Sequence, residues 1–349
     1  DRLRTLLQAY NAVGITGICD GAADPEDLQF YQKLLAADEL TVRVAAQYYI
    51  DTIGPIEEIQ EQIRRVARHP LREGGPMLRI IGIKAFLDGG MLTCSAYMRQ
   101  PWGVSKTYAI DDPNYCGVLF IPHDRLLPIV RTATECGLQF TAHTVGDGAV
   151  HALLDVYDEL SATLPVRQMR HCITHSNFMS AESVAKTVDL GVIPLVQPAW
   201  LYLDTRTLAG HFGYERLRYF QPLHSIFAAG GLAAGGSDHM QKVGSLRSIN
   251  PYDPFLGMWT AITRRARWYE ANCIRKRPSR ASRRSASTPS TAPGRCSRRN
   301  WPARWRKANA PISSSSTPIC SPVTSTRSAV RRSCEPISTA ASFTIADGK

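Results

Sequence analysis

Short runs of apolar and β-branched residues alternate with segments of helical periodicity from residue 14 onward. Between the runs, apolar residues recur three and four positions apart, which is the spacing of one helix face. This alternation is typical of a parallel α/β fold, and it predicts seven strands joined by helices. The predicted strands are residues 14–20, 42–49, 80–88, 138–145, 170–177, 191–198 and 232–238.

The spacing of these strands favours a barrel. Strand-plus-helix units near 32 residues fit a (β/α)8 TIM-type barrel, which ordinarily needs about 250 residues. Seven predicted strands are one short of eight, and the chain opens on an amphipathic helix at residues 3–13. We therefore predict an incomplete barrel whose first strand lies upstream of Asp1. Ser180 is predicted to cap a short helix that ends at Gly191.

Charge divides the 349-residue chain into two parts. Residues 1–270 contain 25 basic residues (Lys and Arg) and 28 acidic residues (Asp and Glu). Residues 271–349 contain 16 basic residues and 2 acidic residues. The overall net charge of +11 is thus a property of the tail, and it does not indicate a nucleic-acid partner for the first part. The tail also holds 16 serines without periodicity, which predicts either a disordered basic segment or one translated out of frame after residue 272.

Cysteine usage and hydropathy bound the class of protein further. Five cysteines in residues 1–270 are widely spaced and form no Cys-x-x-Cys motif, which suits a reduced cytoplasmic enzyme better than a disulfide framework. No stretch approaches the roughly 18–20 consecutive apolar residues of a membrane-spanning helix. We expect a cytoplasmic protein without a membrane span, and without a specific nucleic-acid partner.

Four titratable residues fall at the ends of predicted strands, namely Lys84, His143, His175 and Asp238. His143 and His175 are 32 residues apart, one strand–helix unit, and Asp238 follows 63 residues later, two units. In a parallel barrel such strand ends converge on one mouth, where active sites lie. Two imidazoles and a carboxylate there predict a site for a divalent metal, with zinc favoured by the nitrogen ligands.

Lys84 fits such a site only in a modified form. An ammonium group repels a cation and offers no lone pair, but a lysine carbamylated by CO2 is an anionic carboxylate that can bridge two metals. Taken singly, a strand-end histidine is more often a structural residue and a lone lysine a solvated charge. Their joint placement favours the metal site, with one or two ions.

Five motifs occur in order along residues 1–270. They are Lys84 with Asp88 and Gly89; His143 with Gly146 and Asp147; Arg170, His171, Ile173 and His175; Gly191 with Gln197 and Pro198; and Gly236, Ser237 and Asp238. Together they resemble the amidohydrolase superfamily, in particular the amidohydrolase-3 branch that includes N-substituted formamide deformylases. The resemblance implies a metal-dependent hydrolase with a barrel flanked by a small β-sandwich.

The implied function is hydrolysis of a non-peptide C–N bond, in a small-molecule amide or formamide, by a metal-activated water. Asp238 is the predicted catalytic residue and also a metal ligand. A long excursion at residues 89–122, between the Lys84 and His143 strands, contains aromatic residues that either line an apolar substrate pocket over the mouth or pack the excursion itself. Predicted substrate contacts are Asp88, Trp102, Gln197 and His239.

Two departures from the family pattern leave an alternative open. The family's His-x-His pair on the first strand is absent, since none of the nine histidines forms it, and the C-terminal sandwich strands are not evident in the tail. The sequence is therefore also compatible with a truncated, catalytically inactive relic whose basic tail binds nonspecifically.

Overall fold

Seven parallel strands form one open, curled sheet, and their order in the sheet is their order in the chain. The computed structural model describes residues 2–239, 243–244, 246 and 250–267. The strands are β1 (Gly17–Ala23), β2 (Arg43–Tyr49), β3 (Leu78–Phe86), β4 (Gln139–Thr144), β5 (Cys172–His175), β6 (Ile193–Val196) and β7 (Ala234–Gly235). This arrangement confirms the predicted incomplete (β/α)8 barrel.

Helices connect the strands. They are α1 (Arg2–Ala12), α2 (Pro25–Ala36), α3 (Ile56–Ala67), α4 (His123–Glu135), α5 (Asp147–Ser161), α6 (Val166–Met169), α7 (Ala181–Asp189), α8 (Pro198–Arg216), α9 (Leu223–Ala228) and α10 (Pro254–Thr263). The predicted cap at Ser180 is confirmed, because its side chain accepts a hydrogen bond from the Ser183 N–H and forms a capping box.

Some strand boundaries differ from the prediction, and backbone conformation explains why. β1 starts three residues later than predicted because Gly14 has a φ of +83° and the Ile15 N–H bonds back to Tyr10, which closes α1. β5 is short because Arg170 and His175 have positive φ angles of +53° and +82°. These turns depend on the backbone conformation of single residues, which cannot be predicted from the alternation of hydrophobic and polar residues.

The main core lies between the sheet and the surrounding helices, and it is built from strand side chains such as Ile83 and Phe140 against helix side chains such as Leu153. A second apolar cluster joins the excursion at residues 89–122 to α8 and includes Trp102, Leu201 and Leu208. The excursion is thus packed through its own core. It leaves β3 beside Asp88, which forms an isolated antiparallel bridge with Leu119.

Among the described residues, no helix combines the length and the apolar character needed to cross a membrane. Residues 271–349 lie outside the described part of the chain, so the disorder or frame shift predicted for them stays a prediction.

Candidate metal centre

The carboxyl ends of β3, β4 and β5 bring three predicted site residues together. In the strand register, Phe86 pairs with His143 and Thr144 pairs with His175, while Lys84 lies two residues before Phe86. The imidazole rings of His143 and His175 have centroids 4.4 Å apart and planes at 72°. Their pairing follows from parallel strands in register, whose ends reach the same edge of the sheet.

Both imidazoles are held in the neutral form. Burial lowers the pKa of His143 to about 4, and the charge of Lys84 acts in the same direction. Burial also lowers the pKa of His175 well below its ordinary value, with His143 and Lys84 adding to the effect. Because a neutral imidazole is the form that binds a metal, both side chains are ready to act as ligands at neutral pH.

The orientation of His175 is fixed by Gln197. Nδ1 of His175 donates to Oε1 of Gln197 at 2.9 Å, and Gln197 is held in turn by its own bond from Nε2 to the Leu195 carbonyl at 3.0 Å. The indole of Trp200 stacks on the imidazole at 4.7 Å. With Nδ1 engaged, Nε2 of His175 keeps its lone pair, which is the usual arrangement of a metal-binding histidine.

Lys84 is buried near the carboxyl end of β3. Its side chain is 4% exposed, and no hydrogen bond or ion pair is formed by its ammonium group within the described residues. The ammonium lies over the Phe86 ring, 5.3 Å from the centroid. Burial lowers the pKa of Lys84 to about 8, although Asp238, Cys19 and Asp20 act in the opposite direction.

Gly21 lies beside Lys84, and its lack of a side chain leaves polar atoms around this position. A Cβ at Gly21 would lie 3.8 Å from Nζ of Lys84 and 4.0 Å from Oε1 of Gln47. That Gln47 oxygen is buried and has no hydrogen-bond partner among the residues that the structure describes. A buried acceptor at this point fits a hydrogen bond from an Nζ–H of Lys84, which an ammonium and a carbamate can both supply.

Asp238 follows β7 in a left-handed conformation, with a φ of +51°. Burial raises the pKa of its carboxyl group, and the charge of Lys84 opposes that effect. Nδ2 of Asn250 donates to the backbone oxygen of Asp238, and Oδ1 of Asn250 accepts from Trp200 Nε1. These bonds tie the end of β7 to the beginning of α8.

The described part of the chain contains no group of three or more His, Cys, Asp or Glu side chains placed to hold a metal ion. What it does contain is the pair of neutral imidazoles, the buried Lys84 and the nearby Asp238. Nitrogen ligands and a carboxylate are the donors that zinc and related divalent cations take. The residues present therefore fit a divalent cation as part of its ligand set.

Asp88 organises the loops at this edge of the sheet. Its two carboxylate oxygens accept backbone hydrogen bonds from Tyr97, Val145 and Gly146 at 2.8–2.9 Å. Burial raises its pKa to about 7, while the three N–H donors act to lower it. Asp88 is fully buried. Through these hydrogen bonds it joins the excursion to the end of β4, next to His143.

The other predicted substrate contacts occupy different surroundings. Trp102 is buried in the second apolar cluster, where its Nε1 donates to the Ala96 carbonyl at 2.9 Å. His239 is partly exposed beside Asp238, and Nδ1 of its ring lies 2.8 Å from the Tyr10 hydroxyl. Gln197 contacts His175, as described above. The structure thus gathers Gln197 at the imidazole pair and places Trp102 within the excursion.

The aromatic side chains beside the histidines were not predicted from the sequence. Five rings follow one another along the strand ends, and we call them the aromatic row: Tyr49, Phe86, His143, His175 and Trp200. The successive centroids are 5.8, 5.3, 4.4 and 4.7 Å apart. The signal that could have revealed Tyr49 and Phe86 is their position as the last residues of β2 and β3.

His171 belongs to the same motif as His175 but lies among the helices. Its Nδ1 accepts from the Phe140 N–H at 2.9 Å, and its ring stacks on Tyr157 at 4.9 Å. Burial lowers its pKa to about 4. His171 is accordingly a packing residue of the layer between sheet and helices.

Comparison with known proteins places these observations in a family context. The profile of the Amidohydrolase family matches residues 1–286. The chain is 30% identical to the Protein LONG AFTER FAR-RED 3 of Arabidopsis thaliana over 45% of its own length and 26% of that protein. It is 25% identical to the amidohydrolase YtcJ of Bacillus subtilis (strain 168) over 55% of its own length and 33% of that protein.

Further likeness is found to an N-substituted formamide deformylase of Arthrobacter pascens, with 21% identity over 75% of this chain and 45% of that protein. The matches thus span between 26% and 45% of the length of these relatives. A solved structure of an uncharacterized metal-dependent hydrolase from Pyrococcus horikoshii OT3 matches with a TM-score of 0.59 and 20% identity, over 75% of this chain and 47% of that one. The latter similarity supports the fold.

Proposed function

The chain belongs to the amidohydrolase family, and from this premise we propose that the strand-end residues form part of the metal centre of a hydrolase. The proposed reaction cleaves a non-peptide C–N bond in a small-molecule amide or formamide. One of the relatives is named an N-substituted formamide deformylase, which supports this substrate class. A cytoplasmic location and the absence of a specific nucleic-acid partner belong to the same proposal.

The observation that carries this proposal is the imidazole pair. His143 and His175 come from adjacent strands, their centroids are 4.4 Å apart, and burial holds both in the neutral form. Oε1 of Gln197 accepts a hydrogen bond from Nδ1–H of His175. Without this orientation His175 would be an ordinary packing residue, as His171 is.

We propose that His143, His175, Asp238 and a modified Lys84 contribute ligands to one or two divalent cations, with zinc favoured. A cation bound there supplies a Lewis acid for the amide carbonyl and lowers the pKa of a water to about 7. The chain's own part is to hold these donors at the carboxyl ends of the strands.

The proposed modification of Lys84 is a carbamate. The lone pair of its neutral amine forms a bond to the carbon of CO2, and the proton released from Nζ passes to solvent. The lowered pKa of about 8 makes the neutral amine available near physiological pH. The unpartnered Oε1 of Gln47 provides an acceptor near Nζ for a carbamate N–H.

Asp238 is the proposed proton carrier of the reaction. Its carboxylate takes a proton from the attacking water and returns it to the nitrogen of the departing amine, which leaves only when protonated. His239 lies beside Asp238 and is partly exposed, and we propose that it contacts the substrate. Asp88, Trp102 and Gln197 are buried, and we propose that they support the site from within.

Metal content of the purified 349-residue chain tests the proposal. We expect zinc, measured by inductively coupled plasma mass spectrometry, to fall in His143→Ala and in His175→Ala. His123→Ala is the matched control, because His123 is half-exposed on α4 and pairs with Glu159. Unchanged zinc in both site variants would remove the imidazole pair from the metal centre.

Amine release from N-substituted formamides and amides separates an enzyme from a non-catalytic relic. The zinc-loaded chain is incubated with each compound, and the free amine is quantified. Metal uptake with turnover supports the hydrolase. Salt-sensitive binding to DNA without metal uptake would favour the relic with a basic tail.

A further inference from the structure

The exposed end of the aromatic row is suited to contact substrate. Phe86 is 39% exposed and Tyr49 is 36% exposed, and each is the last residue of its strand. Both therefore present ring surface at the edge of the sheet that holds the imidazole pair. Exposed rings that are continuous with a polar site are a usual feature of ligand pockets.

The geometry limits what these rings can bind. The Phe86 ring is 5.3 Å from the His143 ring, and Tyr49 meets Phe86 edge to face at 5.8 Å with an interplanar angle of 68°. Aromatic pairs are favourable at centroid separations of about 4.5–7 Å in tilted or edge-to-face arrangements. An aromatic ring of a ligand that packed against Phe86 and Tyr49 would extend this series of ring contacts. Phe86 would then lie between that ring and His143.

We propose that Tyr49 and Phe86 form the binding surface for an aryl group of the amide substrate, held next to the bond that is cleaved. This inference rests on the proposed function for its choice of substrate, but it assigns two residues and a selectivity that the metal centre does not require. An aliphatic group of similar size gains the same apolar burial without the ring–ring geometry. The surface should therefore prefer an aryl amide.

Binding of a defined probe to the 349-residue chain tests this inference directly. The probe is 4′-fluoroacetanilide, whose affinity is measured by fluorine NMR line broadening, and N-cyclohexylacetamide is the competitor of similar size. We expect the aryl probe to bind about two- to tenfold more tightly than the cyclohexyl compound, the range that one aromatic pair contributes.

Variants identify the surface. Phe86→Leu should weaken binding of the aryl probe about two- to tenfold and leave the cyclohexyl compound unchanged, whereas Phe86→Tyr should retain the preference. Phe30→Leu is the matched control, since Phe30 is 46% exposed on α2 and contacts Lys33. Circular dichroism verifies that each variant folds.

Three results would overturn the inference: equal affinity for the two compounds, no binding of either, or the same loss in Phe30→Leu. Zinc content, determined on the same samples, tests the proposed function separately. If the chain contains no zinc but still prefers the aryl probe, and the preference depends on Phe86, the aryl-binding surface is supported and the proposed metal centre is contradicted.

Discussion

His171 and His175 lie four residues apart in one strand region but on opposite sides of the sheet. His171 stacks on Tyr157 among the helices, whereas His175 stacks on Trp200 and faces His143. Regular alternation would put both on the same side. The alternation ends at His175, where φ is +82°, so the backbone turn redirects its side chain to the site.

His171→Leu should therefore destabilise the protein without changing its zinc content. The substitution removes the acceptor of the buried Phe140 N–H, and an unsatisfied buried donor costs about 1–3 kcal/mol. Urea denaturation measures the free energy of unfolding, and metal analysis of the folded protein gives the zinc content. A loss of zinc at unchanged stability would contradict the assignment of His171 to packing.

Gln197→Leu should lower zinc affinity about 10- to 100-fold, the usual effect of removing a hydrogen bond to a metal-binding histidine. The variant loses the acceptor that fixes Nδ1–H of His175. Gln197→Glu retains an acceptor oxygen and is the comparison variant. Competition with a chelator of known affinity measures the change, and equal affinities for Gln197→Leu and the unmodified chain would refute the positioning role.

The buried ammonium of Lys84 predicts a pH-dependent stability. Its pKa is about 8 in the folded protein against 10.5 ordinarily, so the folded state loses this proton first. The destabilisation is complete below about pH 8, shrinks between pH 8 and 10.5, and is absent above that, with a total of about 3 kcal/mol.

Lys84→Met removes this contribution. In buffer free of metal and CO2, the variant should be more stable than the unmodified chain at pH 7, and the difference should decrease as the pH rises to 10.5. Urea denaturation at several pH values measures it. A difference that does not change with pH would show that Lys84 is not a buried ammonium in the metal-free protein.

Asp238→Asn tests the proton carrier on any amide for which turnover is measurable. We expect kcat to fall by a factor on the order of 10² while most of the zinc is retained, because an amide cannot take up and return the proton. Near-normal kcat with zinc content verified would remove Asp238 from this role.

Much of the fold was accessible from sequence because strand number and order depend on regular spacing. The seven runs became seven strands, and Ser180 caps its helix through a local bond that its hydroxyl can make in isolation. The convergence of Lys84, His143 and His175 followed from parallel strand ends. These features can be predicted from the spacing of the hydrophobic runs and from the parallel direction of the strands.

Other features depend on contacts between distant segments. The turn at His175 depends on the surrounding fold, since a positive φ is uncommon for residues other than glycine and no local pattern marks it here. The burial of Trp102 depends on α8, which lies about a hundred residues further along the chain. The lowered pKa values of Lys84 and His143 arise from burial, which no local pattern encodes.

The order of the strands also bears on how the protein is made. Each strand from β2 onward pairs with the strand that precedes it in the chain. Translation delivers about 5–20 residues per second, so every strand–helix unit can dock on an edge that is already present when it leaves the ribosome. The sheet can therefore grow from one edge during synthesis, with the Lys84 strand in place before the two histidine strands arrive.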